Sequence, residues 1–268
     1  MSNPTAPHSE RRPVAYLNEK FLNSPDARAM RILSEFLEPM AHFRRERVRD
    51  TVVFFGSARI REGEGELARY YDEARSLARM LTEWSQQFTN STHRFVVCSG
   101  GGPGIMEAAN RGACDAGGLT VGLNIGLPFE QFPNPYITPD LSFEFHYFFM
   151  RKFWFAYLAK ALVVFPGGFG TLDEMMEILT LTQTQKLAKK MTVLLYGSDY
   201  WKEIINFKAL VKYDMISPED LSLFQFADDP PTAFELLKTG IAEYALQHDT
   251  PELPAVSKSV NPQKPEGA

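Results

Sequence analysis

The sequence contains few of the residues that build metal centres and disulfide frameworks. Its 268 residues include two cysteines and five histidines. The histidines are scattered without the paired spacing of metal ligands, so a metal site has little support. Cys98 falls in an apolar strand pattern and Cys114 in a helical one. We expect both to be reduced thiols in the core.

Long apolar segments are also missing, as is an excess of positive charge. No apolar run is long enough to cross a bilayer, and no hydrophobic signal segment is present. The net charge of −5 gives no support for binding to nucleic acid or to an anionic membrane. We therefore expect a cytoplasmic protein with the ordinary composition of a globular domain.

What the chain does contain is a regular alternation of strand and helix patterns, without a change of composition along the way. This alternation predicts an α/β fold, a single doubly wound and mainly parallel sheet with helices on both faces. We place one domain at residues 14–248. It includes an N-terminal helix from a cap at Asp26 toward Val48, whose apolar side is formed by Met30, Leu33, Phe36, Leu37 and Met40. Among the other elements, we predict strands over 51–55, 119–124, 191–196 and 221–226 and a helix over 200–213. Polar, proline-bearing residues 1–13 and 249–268 are expected to be disordered tails.

Three turns rich in small residues follow strands of this predicted sheet. Gly56-Ser57 follows the first strand, Gly100–Gly104 follows the second, and Gly167–Gly170 follows the apolar run Ala161–Phe165. Ligands of such sheets bind past the carboxyl ends of the strands. Three turns at one edge therefore predict a phosphate pocket there.

The third turn lies in the stretch Pro166–Glu174, which we interpret as an anion site. A glycine turn that enters a helix, here at Thr171, exposes free backbone N–H groups at the positive end of the helix dipole. Phosphate is the usual occupant of such a site. Asp173 and Glu174 then fall in the first helical turn. Either they complement the dipole, or one of them faces the far end of a phosphorylated ligand.

Two common nucleotide fingerprints are missing. From Gly100 the dinucleotide pattern meets Ile105 where its third glycine belongs, and Asn124 ends the next strand where a ribose-binding carboxylate is needed. Neither Gly104 nor Gly170 is followed by the Lys-Ser/Thr pair of a P-loop. NAD binding and ATP hydrolysis are therefore disfavoured, and we expect no cofactor.

The sequence Pro166-Gly-Gly-Phe-Gly-Thr-Leu-Asp-Glu174 resembles the P-G-G-x-G-T-x-x-E signature of the LONELY GUY family, nucleotide phosphoribohydrolases long labelled lysine decarboxylases. Met150-Arg151-Lys152 resembles the arginine-bearing motif that precedes it. The resemblance runs from about Thr51 to Trp201. Glu107, the long N-terminal helix and the proline-rich loop before Tyr136 resemble the longer subgroup of the family, often assembled as larger oligomers.

This resemblance implies a homo-oligomer that hydrolyses the N-glycosidic bond of a nucleoside 5′-monophosphate, such as AMP or a cytokinin riboside monophosphate, to free base and ribose 5-phosphate. It implies catalytic roles for Glu174 and Arg151. The residues expected to bind substrate and phosphate are Gly167, Gly168, Gly170, Thr171, Gly101, Gly102, Ser57, Glu107 and Lys152.

Two alternatives stay open at this point. A nucleotide-binding sensor or carrier could keep the same pocket without turnover. A pyridoxal-phosphate decarboxylase would need a Schiff-base lysine, for which Lys152 or Lys160 could be nominated. For Glu107, a favourable contact with its own helix dipole explains its position equally well.

Overall fold

The computed structural model describes residues 12–88, 91–126, 132–186 and 191–244. Within them, seven strands form one sheet. In chain order the strands are β1 (Thr51–Phe55), β2 (Val96–Ser99), β3 (Thr120–Ile125), β4 (Ser142–Phe145), β5 (Ala159–Val164), β6 (Thr192–Tyr196) and β7 (Gln225–Ala227). They lie in the order β4-β3-β2-β1-β5-β6-β7, and every neighbouring pair is parallel.

Helices connect these strands. They are α1 (Glu19–Leu22), α2 (Arg28–Arg45), α3 (Arg69–Ser85), α4 (Ile105–Asp115), α5 (Phe148–Leu158), α6 (Phe169–Gln183), α7 (Ser198–Ile204), α8 (Phe207–Lys212) and α9 (Pro230–Tyr244). Short 3-10 turns cover Ala15–Leu17, Pro25–Ala27, Gln86–Phe88, Pro139–Leu141 and Pro218–Leu223. Across the described ranges, no helix is both long enough and apolar enough to span a membrane.

Side chains of the central strand divide the core in two. Val52 and Phe54 of β1 pack on one face of the sheet against residues of α3, α4 and α9. Val53 and Phe55 pack on the other face against residues of α2, α5 and α6. Every residue of β1 is buried, as expected for a parallel strand covered on both faces. The predicted doubly wound α/β fold is confirmed.

The strand order reverses between β1 and β5, and hydrogen bonds tie the turns together at this point. The Ser57 N–H donates to the Pro166 carbonyl at 2.9 Å, and the Ile105 N–H donates to the Ser57 carbonyl at 3.1 Å. The three small-residue turns therefore meet at one edge of the sheet. This reversal point is where doubly wound folds bind their ligands.

Several predicted element boundaries were wrong. Helix α6 begins at Phe169 with Gly168 as its N-cap, two residues before Thr171. Asp26 lies inside the 3-10 turn, and the N-cap of α2 is Ala27. The predicted helix over 200–213 is divided into α7 and α8, because the Asn206 side chain caps the second helix. The strand predicted over 221–226 begins later, at Gln225 in β7, because residues 221–223 belong to the 3-10 turn Pro218–Leu223.

Three other expectations concern the two cysteines, the apolar side of α2 and the tails of the chain. Cys98 is buried as predicted, but Cys114 is exposed on α4. The apolar side predicted for α2 includes Met30, Leu33 and Leu37, all of which are exposed in the single chain. Residues 1–11 and 245–268, which contain most of the predicted tails, lie outside the described ranges.

Candidate active site

A cavity of about 770 Å³ opens at the reversal point of the sheet. This volume falls in the range of small-molecule sites. Its wall comprises the turns after β1 and β5, Leu67, one residue of the turn after β2, Met106 of α4, the end of β3 and parts of α5, α6 and α7. The lining residues are Gly56, Ser57, Ala58, Arg59, Ile60, Leu67, Gly100, Met106, Asn124, Ile125, Phe148, Arg151, Pro166, Gly167, Gly168, Phe169, Gly170, Thr171, Leu172, Glu174, Tyr200 and Ile204.

One end of the cavity is the N-terminus of α6. The first intrahelical bond runs from the Leu172 N–H to the Gly168 carbonyl at 3.0 Å. Helix geometry therefore leaves the N–H groups of Phe169, Gly170 and Thr171 without an intrahelical acceptor. Together with the helix dipole, these amides give this part of the cavity wall a positive electrostatic potential.

Close packing fixes the shape of this turn. A Cβ atom added to Gly167 would collide with the Thr171 side chain, so the chain needs glycine there. The Tyr200 hydroxyl donates to the Gly167 carbonyl at 2.9 Å. The turn is thus held from the side of α7, while its amides remain on the cavity side.

Arg151 and Glu174 form an ion pair in the cavity wall. Arg151 Nη1 lies 2.9 Å from Glu174 Oε1, and their side chains are only 10% and 13% exposed. Arg151 Nε also donates to the Leu123 carbonyl at 2.8 Å, and the guanidinium stacks over the Phe155 ring at 4.9 Å. These contacts orient Arg151, and through it the Glu174 carboxylate.

Burial dominates the ionisation of Glu174. Loss of hydration raises the pKa of Glu174 to about 7, although the positive charge of Arg151 opposes the rise. The negative charge of Asp173 adds to it. A carboxyl group that ionises near neutral pH is suited to general acid–base chemistry.

Asp173, the neighbouring acid, faces away from the cavity. Lys152 Nζ lies 2.8 Å from Asp173 Oδ2 and 2.9 Å from Glu177 Oε2. Because α6 begins at Phe169, Asp173 and Glu174 both lie beyond its first turn. The dipole explanation considered above was therefore wrong for both acids, and Glu174 is the one that faces the cavity.

The structure brings most of the predicted site residues together on the cavity wall. Within the described residues, four of them do not line it: Gly101, Gly102, Glu107 and Lys152. The carbonyls of Gly101 and Gly102 accept hydrogen bonds from the Asn134 amide at 3.0 and 3.1 Å. Glu107 accepts a hydrogen bond from the Tyr71 hydroxyl at 3.0 Å. Their predicted contacts with substrate stay predictions.

Sequence reasoning missed other members of the cavity wall. Asn124, oriented with its amide nitrogen toward the turn after β2, donates to the carbonyls of Gly100 and Gly101 at 3.2 and 3.3 Å. Arg59 lies two residues after Ser57, and this position next to a predicted pocket turn is a sequence signal that could have identified it. Tyr200 and Ile204 carry no local signal, because only the fold brings α7 to this edge.

The lysines that a pyridoxal-phosphate enzyme would need lie elsewhere. Lys152 pairs with Asp173 and Glu177 outside the cavity wall. Lys160 is buried at the amino end of β5, where burial lowers its pKa and the charge of Asp50 opposes this. For the described ranges, no cluster of three or more His, Cys, Asp and Glu side chains could hold a metal ion.

Several known proteins are similar to this chain in sequence. A family model described as "Possible lysine decarboxylase" matches residues 106–237. The probable cytokinin riboside 5′-monophosphate phosphoribohydrolase LOGL3 of Oryza sativa subsp. japonica is 28% identical over 214 residues, 76% of this chain and 88% of the relative. The enzyme LOG3 of Arabidopsis thaliana is 28% identical over 211 residues, 76% and 87% of the two chains.

A solved structural genomics target, TM1055, has a TM-score of 0.50 at 21% identity, covering 71% of this chain and 99% of that chain. A molybdenum cofactor binding protein from Rippkaea orientalis has a TM-score of 0.48 at 20% identity, covering 72% and 98%. The similarity to TM1055 shows a shared fold and nothing about function. The family model and the named relatives confirm the resemblance found in the sequence signature: the chain is similar to proteins of the LONELY GUY family.

Proposed function

We propose that this protein hydrolyses the N-glycosidic bond of a nucleoside 5′-monophosphate, releasing the free base and ribose 5-phosphate. The observation that carries the proposal is the buried Glu174 carboxyl group in the same cavity wall as the free amides that begin α6. The names of the relatives, cytokinin riboside 5′-monophosphate phosphoribohydrolases, support the same substrate class.

The phosphate is proposed to bind at the N-terminus of α6. Gly167, Gly168 and Gly170 offer backbone groups without a side chain to hold an anion away, and Thr171 adds a hydroxyl. Ser57, tied to Pro166 across the strand reversal, completes this end of the site. A dianion there gains both hydrogen bonds and the field of the helix dipole.

Glu174 is proposed to act on the sugar. As the C–N bond breaks, its electron pair leaves with the base, and positive charge develops on the ribose as in glycoside hydrolysis. The ionised carboxylate stabilises this charge and orients a water molecule for attack on the sugar carbon. Glu174 accepts the proton that the water loses and passes it to the departing base nitrogen, so that the acid is ionised again when both products are formed.

Arg151 is proposed to position Glu174 and the nucleotide. Its attraction opposes the effect of burial on Glu174, so that a useful fraction of the carboxyl group stays ionised at neutral pH. Its contacts with Leu123 and Phe155 hold the guanidinium in one place. A fixed cation beside the carboxylate keeps the acid aimed at the sugar.

The base is proposed to lie against an apolar rim. Leu67, Phe148, Phe169 and Ile204 all line the cavity and are exposed, Phe169 by 92%. Such a surface suits a flat purine and a hydrocarbon substituent alike. AMP and a cytokinin riboside monophosphate are therefore both proposed substrates.

We also propose that the protein is a homo-oligomer in the cytoplasm. Phe149, Phe153 and Tyr157 on the outer side of α5 are exposed, as are Leu33 and Leu37 on α2. Aromatic and apolar surface of this kind is enriched in subunit interfaces. Light scattering should give at least a dimer, and a monomer at working concentration would contradict the oligomer.

Product analysis tests the activity directly. The protein is incubated with a panel of nucleoside monophosphates, and free base and ribose 5-phosphate are measured together. We expect equal amounts of both products from AMP or a prenylated analogue, and loss of both in Glu174→Gln. Tight binding of the nucleotides without either product would instead identify a sensor or carrier.

A further inference from the structure

Charge balance in the cavity singles out Arg59. Within the described part of the wall, the charged side chains are Arg59, Arg151 and Glu174. Arg151 and Glu174 are paired with each other at 2.9 Å. Nearby Lys152 is engaged by Asp173 and Glu177. Among the described residues of this wall, Arg59 is therefore the charged side chain that is not paired with another.

The guanidinium of Arg59 is exposed, and it has no ion-pair or hydrogen-bond partner among the described residues. Arginines on the adjacent helices differ in this respect. Arg75 binds Asp115 at 2.6 Å, and Arg111 binds Glu62 at 2.7 Å. An arginine that lines a cavity and has no protein acceptor is available for an anionic ligand.

The backbone places Arg59 on the turn beside the phosphate end of the cavity. The Arg59 N–H donates to Ser57 Oγ at 3.1 Å, which fixes the turn after β1. The Ser57 N–H donates to Pro166, immediately before the glycines that lead into α6. Since β1 and β5 are adjacent and parallel, Arg59 and the N-terminus of α6 lie on neighbouring turns of one wall.

A phosphate monoester needs more positive charge than the helix offers. It carries about −1.5 to −2 at neutral pH, whereas a helix N-terminus is equivalent to about +0.5. A guanidinium matches the geometry of phosphate oxygens and forms charge-assisted, often bidentate, hydrogen bonds with them.

We propose that Arg59 is a specificity-determining residue, which binds the outer oxygens of the substrate's 5′-phosphate while α6 binds the inner ones. This inference rests on the proposed function and deepens it. Arg59 thereby makes the protein select nucleotides over the corresponding nucleosides. The reaction that consumes the product must then accept a phosphorylated sugar.

Three variants test this role: Arg59→Ala, Arg59→Lys and the control Arg61→Ala. Arg61 is exposed in the same loop and is not among the residues that line the cavity. We expect Arg59→Ala to raise KM for the monophosphate about 10- to 100-fold, as for loss of hydrogen bonds to a charged group, with a smaller change in kcat. Arg59→Lys should recover part of the lost affinity, because lysine keeps the positive charge but cannot form the bidentate hydrogen bonds of a guanidinium.

A second readout uses inorganic phosphate as a competitor of the monophosphate. Its inhibition constant should rise in Arg59→Ala and stay unchanged in Arg61→Ala. The ratio of kcat/KM for nucleotide over nucleoside should fall in Arg59→Ala. An unchanged inhibition constant, or an equal loss for nucleotide and nucleoside, would overturn the role of Arg59.

Failure of this inference can be told apart from failure of the proposed function. If the parent protein hydrolyses AMP and Arg59→Ala matches Arg61→Ala in KM, only the inference fails. If the parent protein yields no product, the affinity for AMP measured by calorimetry still decides the point. Weaker binding in Arg59→Ala alone would support the phosphate contact without the hydrolase, and equal binding would overturn it.

Discussion

Two ion pairs join the same two helices. Their distances are similar, but their exposure to solvent differs. Arg151 and Lys152 are neighbours on α5, and their partners Glu174 and Asp173 are neighbours on α6. The atoms of the first pair lie 2.9 Å apart and those of the second 2.8 Å. The first pair is 10% and 13% exposed, whereas Lys152 and Asp173 are 20% and 57% exposed.

The difference shows that environment, and not the pairing itself, prepares Glu174 for chemistry. Burial raises the pKa of Glu174 to about 7 even though an arginine lies beside it. For Lys152, burial lowers the pKa, but hydrogen bonds to Asp173 and Glu177 outweigh it and the pKa rises. An exposed pair of this kind contributes about 0–1 kcal/mol to stability.

Replacing the buried acid should have the largest effect on activity. Loss of a general base typically costs about 10²- to 10⁴-fold in rate, so Glu174→Gln should lose most of its turnover and keep its fold. The matched control is Asp173→Asn, which removes the exposed acid and should stay within about twofold of the parent. Rates of adenine release from AMP measure both, and near-parental release by Glu174→Gln would remove Glu174 from the mechanism.

Replacing the buried cation should have the largest effect on stability. Removal of one partner of a buried pair typically costs about 3–5 kcal/mol, so Arg151→Met should be far less stable than the parent at pH values above 7. Below that range Glu174 takes up a proton, and the loss should shrink. Urea unfolding of Arg151→Met and of the less buried control Lys152→Met, at one pH above 7 and one well below it, checks this. Equal losses in the two variants would contradict it.

The raised pKa of Glu174 also predicts how stability depends on pH. Folding raises this pKa above its ordinary value of 4.5, so ionisation of Glu174 opposes folding. The favourable contribution of the protonated acid is complete below about pH 4.5 and is lost as the pH rises through about 7. The free energy of unfolding of Glu174→Gln relative to the parent should therefore increase across this interval. A constant difference would show that Glu174 titrates alike in the folded and unfolded chains.

A smaller effect on stability is expected at α2, which binds the start of α5, the helix that carries Arg151 and Lys152. The Glu35 carboxylate of α2 accepts hydrogen bonds from the N–H groups of His146 and Tyr147 at 2.8 and 3.2 Å, at the start of α5. Loss of such a cap costs about 0.5–2 kcal/mol. Denaturant unfolding of Glu35→Ala should show this loss, with the exposed Glu38→Ala as control. If both variants match the parent, α2 does not stabilise α5 through this cap.

Much of the fold could be predicted because its strands are continuous apolar runs. Strands β1, β3 and β6 begin and end within a residue or so of their predicted limits. The start of α6 could not be placed from the sequence, because glycine has low helix propensity. The glycines around Phe169 therefore indicated a turn, although Phe169 and Gly170 are helical. That error of two residues decided whether Asp173 and Glu174 belong to the first turn.

Long-range contacts account for the rest of what the sequence concealed. Gly101 and Gly102 look like binding residues, but their carbonyls accept hydrogen bonds from Asn134, more than thirty residues away. Arg59, Tyr200 and Ile204 reach the cavity only because the strand order brings their turns and helix to one edge. The exposed apolar side of α2 follows the predicted spacing, and spacing alone does not show what covers it.

Titration of the Glu174 side-chain carboxyl group by ¹³C NMR tests the central claim most directly, with its signal assigned by its absence from Glu174→Gln. The claim is that burial in the cavity, against the pull of Arg151, prepares this acid to gain and lose a proton near neutral pH. The account predicts a midpoint at about 7. A midpoint at or below the ordinary value of 4.5 would show that ion pairing governs Glu174 and would contradict the account.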